Sequence, residues 1–276
     1  MTVLLLDGDI IAYKMSSAVE KPIEWEDGIW TLHASIDEAK DAVKTYVSAL
    51  MKKLKASKVW VCFSDEENFR KKIYPDYKAN RKDTRKPLVH RPLVEWMKEF
   101  YPSKVFAGIE ADDVLGIVAT IHSSDNPVIV SEDKDLKQIP AYVFNPSKDD
   151  EPRKISDEEA DRNFFIQLLA GDATDNYKGC PGVGQDSAEA FLESPYIWHE
   201  VERVLKTGKR KGQTIKEWKQ RQLNEGETLW DGVVSLFARA GLTEDDALVQ
   251  ARLARILRSS DYDAKKMQVK LWSPSK

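Results

Sequence analysis

The sequence has little cysteine and no segment suited to a membrane. Its two cysteines, Cys62 and Cys180, are too few for a disulfide framework and have no metal-ligand spacing. No apolar run is long enough to cross a bilayer, and the chain opens on the apolar run at residues 3–6 without a basic leader. We therefore expect a soluble protein of a reducing cytoplasm.

The chain also lacks net positive charge, internal repeats and low-complexity segments. Its formal net charge is −4 over 276 residues, so net charge alone does not indicate a nucleic-acid-binding protein. The charges are unevenly distributed, however, and a hydrophobic fraction of 42% is enough for a substantial core. The length fits either one large domain or two smaller ones.

The first half of the chain alternates between buried-strand and helix patterns. Short continuous apolar runs are typical of strands that are buried on both faces, and apolar residues three and four apart indicate helices between them. This alternation predicts a mostly parallel sheet with crossover helices. The predicted strands are residues 3–6, 59–63, 105–106, 128–130 and 141–144, and the predicted helices are residues 35–56, 93–101 and the segment after residue 110.

A stretch rich in proline and charge at residues 145–152 marks a predicted boundary. We predict an α/β part at residues 1–150 and a mainly helical part at residues 151–276. In the second part, Ser156 and Glu159 predict a capping box for a helix that ends at Gly171. Thr243 predicts the start of a helix to about residue 258, and residues 267–272 are a candidate closing strand.

Carboxylates stand at the ends of several predicted elements. Asp133 and Asp135 follow the strand at residues 128–130, and extended backbone points both side chains the same way. Glu110 and Asp113 share one face of a helical turn. Clustered acids on an apolar frame need compensation, and oxygen-only ligands favour Mg²⁺ or Mn²⁺ over zinc. Further acids of this kind are Asp7, Asp9, Asp65, Asp112, Asp172 and Asp175.

A structural role for these acids is the alternative interpretation. Acids in the first turn of a helix complement its dipole, and an Asp-Gly pair commonly forms a turn. Their recurrence at several strand ends favours a metal site, because sites in open α/β sheets form at the carboxyl ends of the strands.

Two basic blocks interrupt this acidic pattern. Residues 70–91 hold nine lysines and arginines against Asp76 and Asp83, with Tyr74 and Tyr77 among them. That mixture fits a phosphate backbone with stacking surfaces beside it, although a solvated loop is the simpler alternative. Residues 203–221 hold eight lysines and arginines against Glu217 alone, and form either an arm that faces nucleic acid or a flexible loop.

A glycine-rich turn at residues 179–184 follows the acidic pair Asp172 and Asp175 and precedes a predicted helix. Such a turn frees backbone N–H groups that can hold a phosphate without any side chain. Taken alone it is a weak signal, and its position after the acids strengthens it.

In this order the motifs resemble the flap endonuclease and 5′–3′ exonuclease superfamily, and most of all the 5′–3′ exonucleases of short-tailed lytic phages. The likeness covers nearly the whole chain. It implies a PIN-like, mostly parallel α/β sheet flanked by helices, a helical arch at about residues 64–92 and a helix–three-turn–helix motif at about residues 160–193. The motifs are DGD at 7–9, FSD at 63–65, YKANRK at 77–82, EADD at 110–113, SEDKD at 131–135, and GDATDN with GCPGVG at 171–184.

The resemblance also implies residue roles. Lys78 and Arg81 resemble arch residues that engage the scissile phosphate. The implied metal-site carboxylates are Asp7, Asp65, Glu110, Asp112, Asp113, Asp133, Asp135, Asp172 and Asp175. The residues expected to bind DNA are Arg70, Lys71, Tyr77, Lys82, Gly182, Val183, Gly184, Lys209, Arg210 and Lys211. One departure is Gln185-Asp186, where many relatives have Pro-Lys, so we expect the duplex to be held through backbone amides and residues 203–221.

The implied activity is that of a divalent-metal-dependent 5′–3′ exonuclease acting on duplex DNA and on the RNA of RNA–DNA hybrids. The implied cofactors are two Mg²⁺ or Mn²⁺ ions, with K⁺ at the turn of residues 182–184. The protein would be a monomer in the infected bacterial cytoplasm, serving phage replication, primer removal, recombination and host DNA degradation beside phage replication proteins. The alternatives are a structure-specific 5′-flap endonuclease, an inactive DNA-binding clamp, and a small-molecule phosphatase, which the two basic blocks disfavour.

Overall fold

The structure is a computed structural model that describes residues 2–82 and 84–274, so Asp83 of the first basic block lies outside the described residues. The strands are β1 Thr2–Asp7, β2 Lys21–Glu24, β3 Trp30–His33, β4 Ala56–Phe63, β5 Ser103–Val105, β6 Val128–Val130, β7 Tyr142–Phe144, β8 Arg153–Lys154, β9 Tyr196–Val204, β10 Thr214–Gln222, β11 Tyr262–Asp263 and β12 Gln268–Val269. The α-helices are α1 Gly8–Val19, α2 Ile36–Lys53, α3 Phe69–Ile73, α4 His90–Phe100, α5 Ala111–Ile121, α6 Asp157–Ala170, α7 Gln185–Glu193, α8 Leu229–Arg239 and α9 Glu244–Ala254.

The chain forms two compact units that are interleaved in sequence. The first comprises Met1–Lys72, Arg81–Asp161 and Ile256–Lys270, and the second comprises Ile73–Asn80, Arg162–Arg255 and Leu271–Lys276. The sequence instead predicts one boundary near residue 150, and that division into functional domains stays a prediction. Within residues 2–82 and 84–274, no helix is both long enough and apolar enough to span a membrane.

The first unit is built on a six-stranded sheet in the order β5-β4-β1-β6-β7-β8. Its strands are parallel except for β8, which pairs antiparallel with β7, so the predicted mostly parallel sheet is confirmed. Alternate residues of β1 point to opposite faces. Leu5 packs with α5 on one face, whereas Leu4 and Leu6 pack with α1, α2 and α4 on the other. Helices therefore cover both faces of the sheet.

The second unit packs four helices around a core that includes Phe164, Phe191 and Phe237. The predicted end of α6 at Gly171 is confirmed, because this residue takes a φ of +72° directly after Ala170. A side chain there is also excluded, since a Cβ would lie 2.3 Å from the backbone carbonyl carbon of Lys178.

Helix starts are predicted better than the remaining elements. Ser35, Ser156 and Thr243 accept the expected N–H bonds at the starts of α2, α6 and α9. The last helix ends at Ala254, four residues before the predicted end, because Arg255 takes an extended ψ of 114°. The candidate closing strand is reduced to β12. Within residues 64–82 and 84–89, which precede α4, the structure has α3 and a 3₁₀ turn at Ala79–Arg81 but no long helix.

The long antiparallel hairpin of β9 and β10 is not predicted. Half of its residues are exposed and only Ile197 is buried, so its strands lack the apolar alternation that identifies a strand in a sequence. The turn of the hairpin is visible in the sequence as two glycines, Gly208 and Gly212, which take φ values of +84° and +88°. Glycines between two runs that hold β-branched residues are a hairpin signal that could have revealed it.

Candidate active site

The predicted acids of the first unit follow adjacent strands of the sheet. Strand β1 lies between β4 and β6. The strands β4 and β5 lie on one side of it, and the later strands β6, β7 and β8 lie on the other. Such a switch point opens a crevice at the carboxyl ends of the strands, which is where open α/β sheets bind their ligands. Asp7 ends β1 and residues 8–9 follow it, residues 64–65 follow β4, and residues 131–135 follow β6.

Asp7 is the most buried acid at this edge, with 2% of its surface exposed. Its side chain accepts hydrogen bonds from the N–H of Ile10 (3.0 Å) and the hydroxyl of Ser131 (3.4 Å), which are both neutral donors. Burial, together with the negative charges of Asp9 and Asp133, raises the pKa of Asp7 to about 7. Three carboxylates from two strand ends therefore share one electrostatic environment.

Short hydrogen bonds connect the strand ends to α5. Asp9 accepts the N–H of Ser64 at 3.0 Å, and the hydroxyl of Ser64 accepts the N–H of Ala111 at 2.9 Å. These bonds hold the ends of β1 and β4 against the first turn of α5, which carries Glu110 and Asp112. Asp9 is thus part of the site although the resemblance did not assign it a role; the signal was its place in the DGD motif.

Asp65 has a mainly structural environment. Its carboxylate accepts the N–H of Gly108 at 2.7 Å, while its own N–H donates to the carbonyl of Ile109 at 3.0 Å. These two bonds tie the segment after β4 to the segment before α5. The structure thus brings Asp65 beside this edge with one carboxylate oxygen already engaged.

Asp113 and Arg70 form a buried ion pair, with no exposed surface on Asp113 and 3% on Arg70. The guanidinium Nη1 and Nη2 lie 2.6 and 2.8 Å from the two carboxylate oxygens, and Nη1 also lies 3.2 Å from Glu110. The N–H groups of Leu257 (3.0 Å) and Glu110 (3.2 Å) donate to the same carboxylate.

These contacts correct two predicted roles. A guanidinium that is buried against carboxylates cannot contact a DNA backbone, so the predicted DNA contact of Arg70 is wrong for this structure. Both oxygens of Asp113 are occupied by donors of the protein, so the pair does not fit its predicted role as a metal ligand. The sequence hides this because the two residues are 43 positions apart.

Asp133 and Asp135 begin the turn after β6. Asp133 accepts the N–H of Asp135 at 2.8 Å, and its own N–H donates to the hydroxyl of Ser131 at 3.1 Å. Ser131 therefore contacts both Asp7 and Asp133 and positions the two acids together. Both Asp133 and Asp135 are half-buried, as is Asp112 in the first turn of α5.

The second unit brings together four other predicted residues. Asp175 accepts a hydrogen bond from the hydroxyl of Tyr77 at 2.9 Å and lies 3.5 Å from Nζ of Lys78. The backbone N–H of Lys78 donates to the carbonyl of Asp175 at 2.9 Å. Asp172 accepts the N–H of Thr174 at 2.7 Å and begins the same turn. An acidic turn thus anchors the segment that carries Lys78.

Tyr77 does not present the stacking surface that the sequence suggests. Its ring is 2% exposed and stacks against Tyr177, with 6.4 Å between the ring centroids. A buried ring cannot stack on a nucleobase, so the predicted DNA contact of Tyr77 is also wrong for this structure. The side chains of Lys71, Arg81 and Lys82 are exposed.

The glycine-rich turn at residues 179–184 has open space around two of its glycines. Gly182 takes a φ of +79°, and a Cβ built on Gly182 or Gly184 would meet no heavy atom within 4 Å. Gly184 is the N-cap of α7, and Val183 is half-buried beside it. The N–H groups of Gly179, Cys180 and Val183 already donate within the protein, and Pro181 has none, so the amides to consider for an anion are those of Gly182 and Gly184.

The side chains of residues 2–82 and 84–274 do not form a complete metal-binding site as they are placed. In that part of the chain, no three His, Cys, Asp or Glu groups are arranged to hold one metal ion. The nine predicted carboxylates divide between the units, with Asp172 and Asp175 in the second. The ligand set therefore stays a prediction.

Three comparisons relate the chain to known proteins. Residues 2–162 match the family model of the 5′–3′ exonuclease N-terminal resolvase-like domain. The chain is 38% identical to the exodeoxyribonuclease of Enterobacteria phage T3 and 36% identical to the exonuclease of Escherichia phage T7, and each match covers 99% of this chain and 93% of the relative. Its fold resembles the phage T5 D15 protein co-crystallised with metal ions, with a TM-score of 0.55 at 15% identity over 92% of this chain and 89% of that one.

Proposed function

Since the chain belongs to the 5′–3′ exonuclease family and is a nuclease that acts on DNA, we propose that it uses divalent metal ions to release nucleotides from the 5′ ends of duplex DNA. The observation that carries the metal proposal is that the hydroxyl of Ser131 donates to Asp7 at 3.4 Å and accepts the N–H of Asp133 at 3.1 Å, which places these two acids together at the carboxyl edge of the sheet. Buried acids in such proximity repel one another, and a hard cation would compensate them.

The donor set fits Mg²⁺ or Mn²⁺. All the groups are carboxylate oxygens, and the hydrogen bonds that Asp7 accepts from Ile10 and Ser131 come from neutral donors, so this acid has capacity for a cation. Two ions would supply an attacking water of lowered pKa and balance charge on the phosphate oxygens. The residues that would hold them are Asp7, Glu110, Asp112, Asp133 and Asp135.

Three other acids would position these ligands through hydrogen bonds to neighbouring segments. Asp9 fixes Ser64 and thereby the start of α5, and Asp65 fixes Gly108 just before it. Asp113 stabilises the same turn through Arg70, which also contacts Glu110. Residues that orient ligands in this way typically change metal affinity or activity by about 10- to 100-fold when they are replaced.

Lys78 and Arg81 would neutralise the phosphate at the cleavage position. Replacing Lys78 by alanine is expected to lower the single-turnover cleavage rate by about 10²- to 10³-fold and to change duplex affinity only a few-fold, because its charge acts where negative charge develops. Rapid-quench cleavage and fluorescence anisotropy measure the two quantities.

Lys78→Gly is the matched control for this variant. Lys78 has a φ of +54°, so glycine removes the same amine while it relaxes the left-handed backbone. If both variants lose the same cleavage rate, the loss is caused by removal of the Lys78 amine and not by backbone strain. A loss of affinity with an intact rate at saturating DNA would instead assign Lys78 to substrate positioning.

The second unit would hold the duplex. The open amides of the turn at Gly182 and Gly184 are suited to a backbone phosphate, with K⁺ as the ion expected there. The RNA strand of an RNA–DNA hybrid is the second expected substrate. The named relatives are phage proteins, which supports a role in phage replication, primer removal, recombination and host DNA degradation in the infected cell.

End-labelled duplexes test this function directly. With Mg²⁺, a 5′-labelled strand is expected to release its label at once as short products, while a 3′-labelled strand shortens progressively; EDTA stops both reactions. Release of an intact flap from a 5′-flap substrate, without degradation of the blunt duplex, would indicate a flap endonuclease. Binding without cleavage of any of these substrates would indicate a DNA clamp.

A further inference from the structure

The hairpin of β9 and β10 projects from a fixed base on the second unit. The N–H of Trp198 donates to the hydroxyl of Ser235 on α8 at 3.0 Å, and the guanidinium of Arg239 lies 3.7 Å from the ring centroid of Trp198. Tyr196 packs edge-on against Phe191 of α7, with 5.2 Å between the ring centroids. The hairpin therefore begins on the helix that follows the glycine-rich turn and is held by α8.

The far end of the hairpin, residues 205–213, is an ordered turn that we call the tip. The N–H of Leu205 donates to the carbonyl of Gln213 at 3.0 Å, and the N–H of Gly212 donates to the carbonyl of Leu205 at 2.8 Å. Each strand has nine residues, so the tip lies about 30 Å along the hairpin from its base.

We call the two strands, β9 and β10, the body of the hairpin. The cations of the body are neutralised by neighbouring acids. Every lysine and arginine of the body has a glutamate within 3.4 Å. The pairs are Arg203–Glu217 (3.4 Å), Lys219–Glu217 (3.2 Å), Lys216–Glu200 (2.7 Å) and Arg221–Glu227 (2.6 Å). The body therefore has little positive charge to offer a phosphate.

The tip has the opposite character. Four exposed cations stand in it and no acid lies between residues 204 and 214: they are Lys206, Lys209, Arg210 and Lys211. Among residues 2–82 and 84–274, no carboxylate forms a salt bridge with any of these four side chains. The positive charge of the second basic block is thus concentrated at the end of the hairpin.

We propose that the hairpin is an arm whose tip, and not its body, binds the phosphate backbone of duplex DNA beyond the segment held at the glycine-rich turn. This inference rests on the proposed function for the identity of the polymer. The tip carries no aromatic ring to stack on a base, so it binds charge without reading sequence. A reach of about 30 Å corresponds to about nine base pairs of duplex. The arm therefore favours long duplexes over short ones.

Two variants that each lose three cations test the arm. The tip variant is Lys209→Ala, Arg210→Ala and Lys211→Ala, and the body variant is Arg203→Ala, Lys216→Ala and Lys219→Ala. Binding to duplexes of about 10 and 40 base pairs is measured by fluorescence anisotropy in EDTA between about 50 and 200 mM KCl, a range over which phosphate contacts give a steep salt dependence. Circular dichroism melts confirm that both variants fold.

The tip variant is expected to reduce the slope of log K against log salt by about 2 to 3 and to weaken binding of the long duplex at least about tenfold at low salt. Its effect on the short duplex is smaller, and the body variant leaves the slope nearly unchanged. Equal losses in both variants, no loss in the tip variant, or the same loss on a single-stranded 40-mer would each overturn the proposal. Because EDTA binding needs no cleavage, an inactive wild-type enzyme in Mg²⁺ would contradict the proposed function alone.

Discussion

Replacing Asp7 by asparagine is expected to lower cleavage by at least about 10³-fold and, at the same time, to make the metal-free protein more stable. Activity falls because a buried carboxylate at the centre of the acidic edge is lost. Stability rises because the neutral amide relieves the desolvation of Asp7 and its repulsion from Asp9 and Asp133. Asparagine keeps an oxygen that can accept the N–H of Ile10 at the start of α1.

The stability gain has a defined dependence on pH. The pKa of Asp7 is about 7 in the folded protein against an ordinary 3.8, so between these values the folded state binds one proton more than the unfolded state. Wild-type stability in EDTA therefore declines relative to Asp7→Asn as pH rises from about 4 to about 7, and the difference is constant above that. At pH 7.5 the variant is expected to be more stable by on the order of 4 kcal/mol, the free energy that corresponds to a pKa raised from 3.8 to about 7.

Urea denaturation in EDTA across this pH range measures the effect, and adding Mg²⁺ supplies a second readout. Mg²⁺ is expected to raise the midpoint of wild-type unfolding far more than that of Asp7→Asn, because a ligand that binds only the folded state stabilises it. Asp41→Asn neutralises an exposed acid on α2 and is the control. A variant that retains nuclease activity, or one that is less stable than wild type at every pH, would contradict the assignment of Asp7.

Replacing Arg70 by methionine is expected to destabilise the protein by about 3–5 kcal/mol, the cost of leaving a buried carboxylate without its cation. Asp113 has no exposed surface, and its two remaining donors are backbone N–H groups. Combining Arg70→Met with Asp113→Asn removes the uncompensated charge, so the double variant loses less stability than the sum of the single variants. Chemical denaturation of the four proteins closes this cycle.

Lys71→Met is the matched control, because Lys71 is the exposed neighbour of Arg70 on α3. Its effect on stability is expected to stay within about 0.5 kcal/mol, as at ordinary surface positions. The two variants separate a structural role from a DNA contact. If Arg70→Met left stability intact and lowered only DNA affinity, the ion pair with Asp113 would not contribute to stability. Arg70 would then be assigned to DNA binding, as the sequence predicts.

The parallel sheet could be predicted because its signal is local. Each buried strand is a short apolar run, and an acid after such a run lies at the carboxyl edge wherever neighbouring strands are parallel. The same logic puts Asp7 and Asp133 at one edge of the sheet, where Ser131 contacts both of them. The resemblance alone implies roles for residues of the second unit, where Asp172 and Asp175 share a turn and Lys78 contacts Asp175; those roles stay predictions.

The residues that were misjudged depend on contacts distant in sequence. Arg70 stands in a run of cations that resembles a solvated surface, and only the fold shows that its guanidinium lies against Asp113. Tyr77 likewise resembles a stacking residue until Tyr177 covers its ring. The hairpin of β9 and β10 was missed for a different reason, because exposed strands stabilised by charge pairs leave no apolar period.

The interleaving of the two units constrains when each of them can complete its fold during synthesis. Ile73–Asn80 folds with the second unit, so Lys78 meets its partners only after residues 172–177 have left the ribosome. The first unit is completed later still, when the N–H of Leu257 reaches Asp113. The contacts of Lys78 and Asp113 described here thus form only after residues 177 and 257 respectively have been synthesised, so neither unit reaches its full set of contacts early in translation.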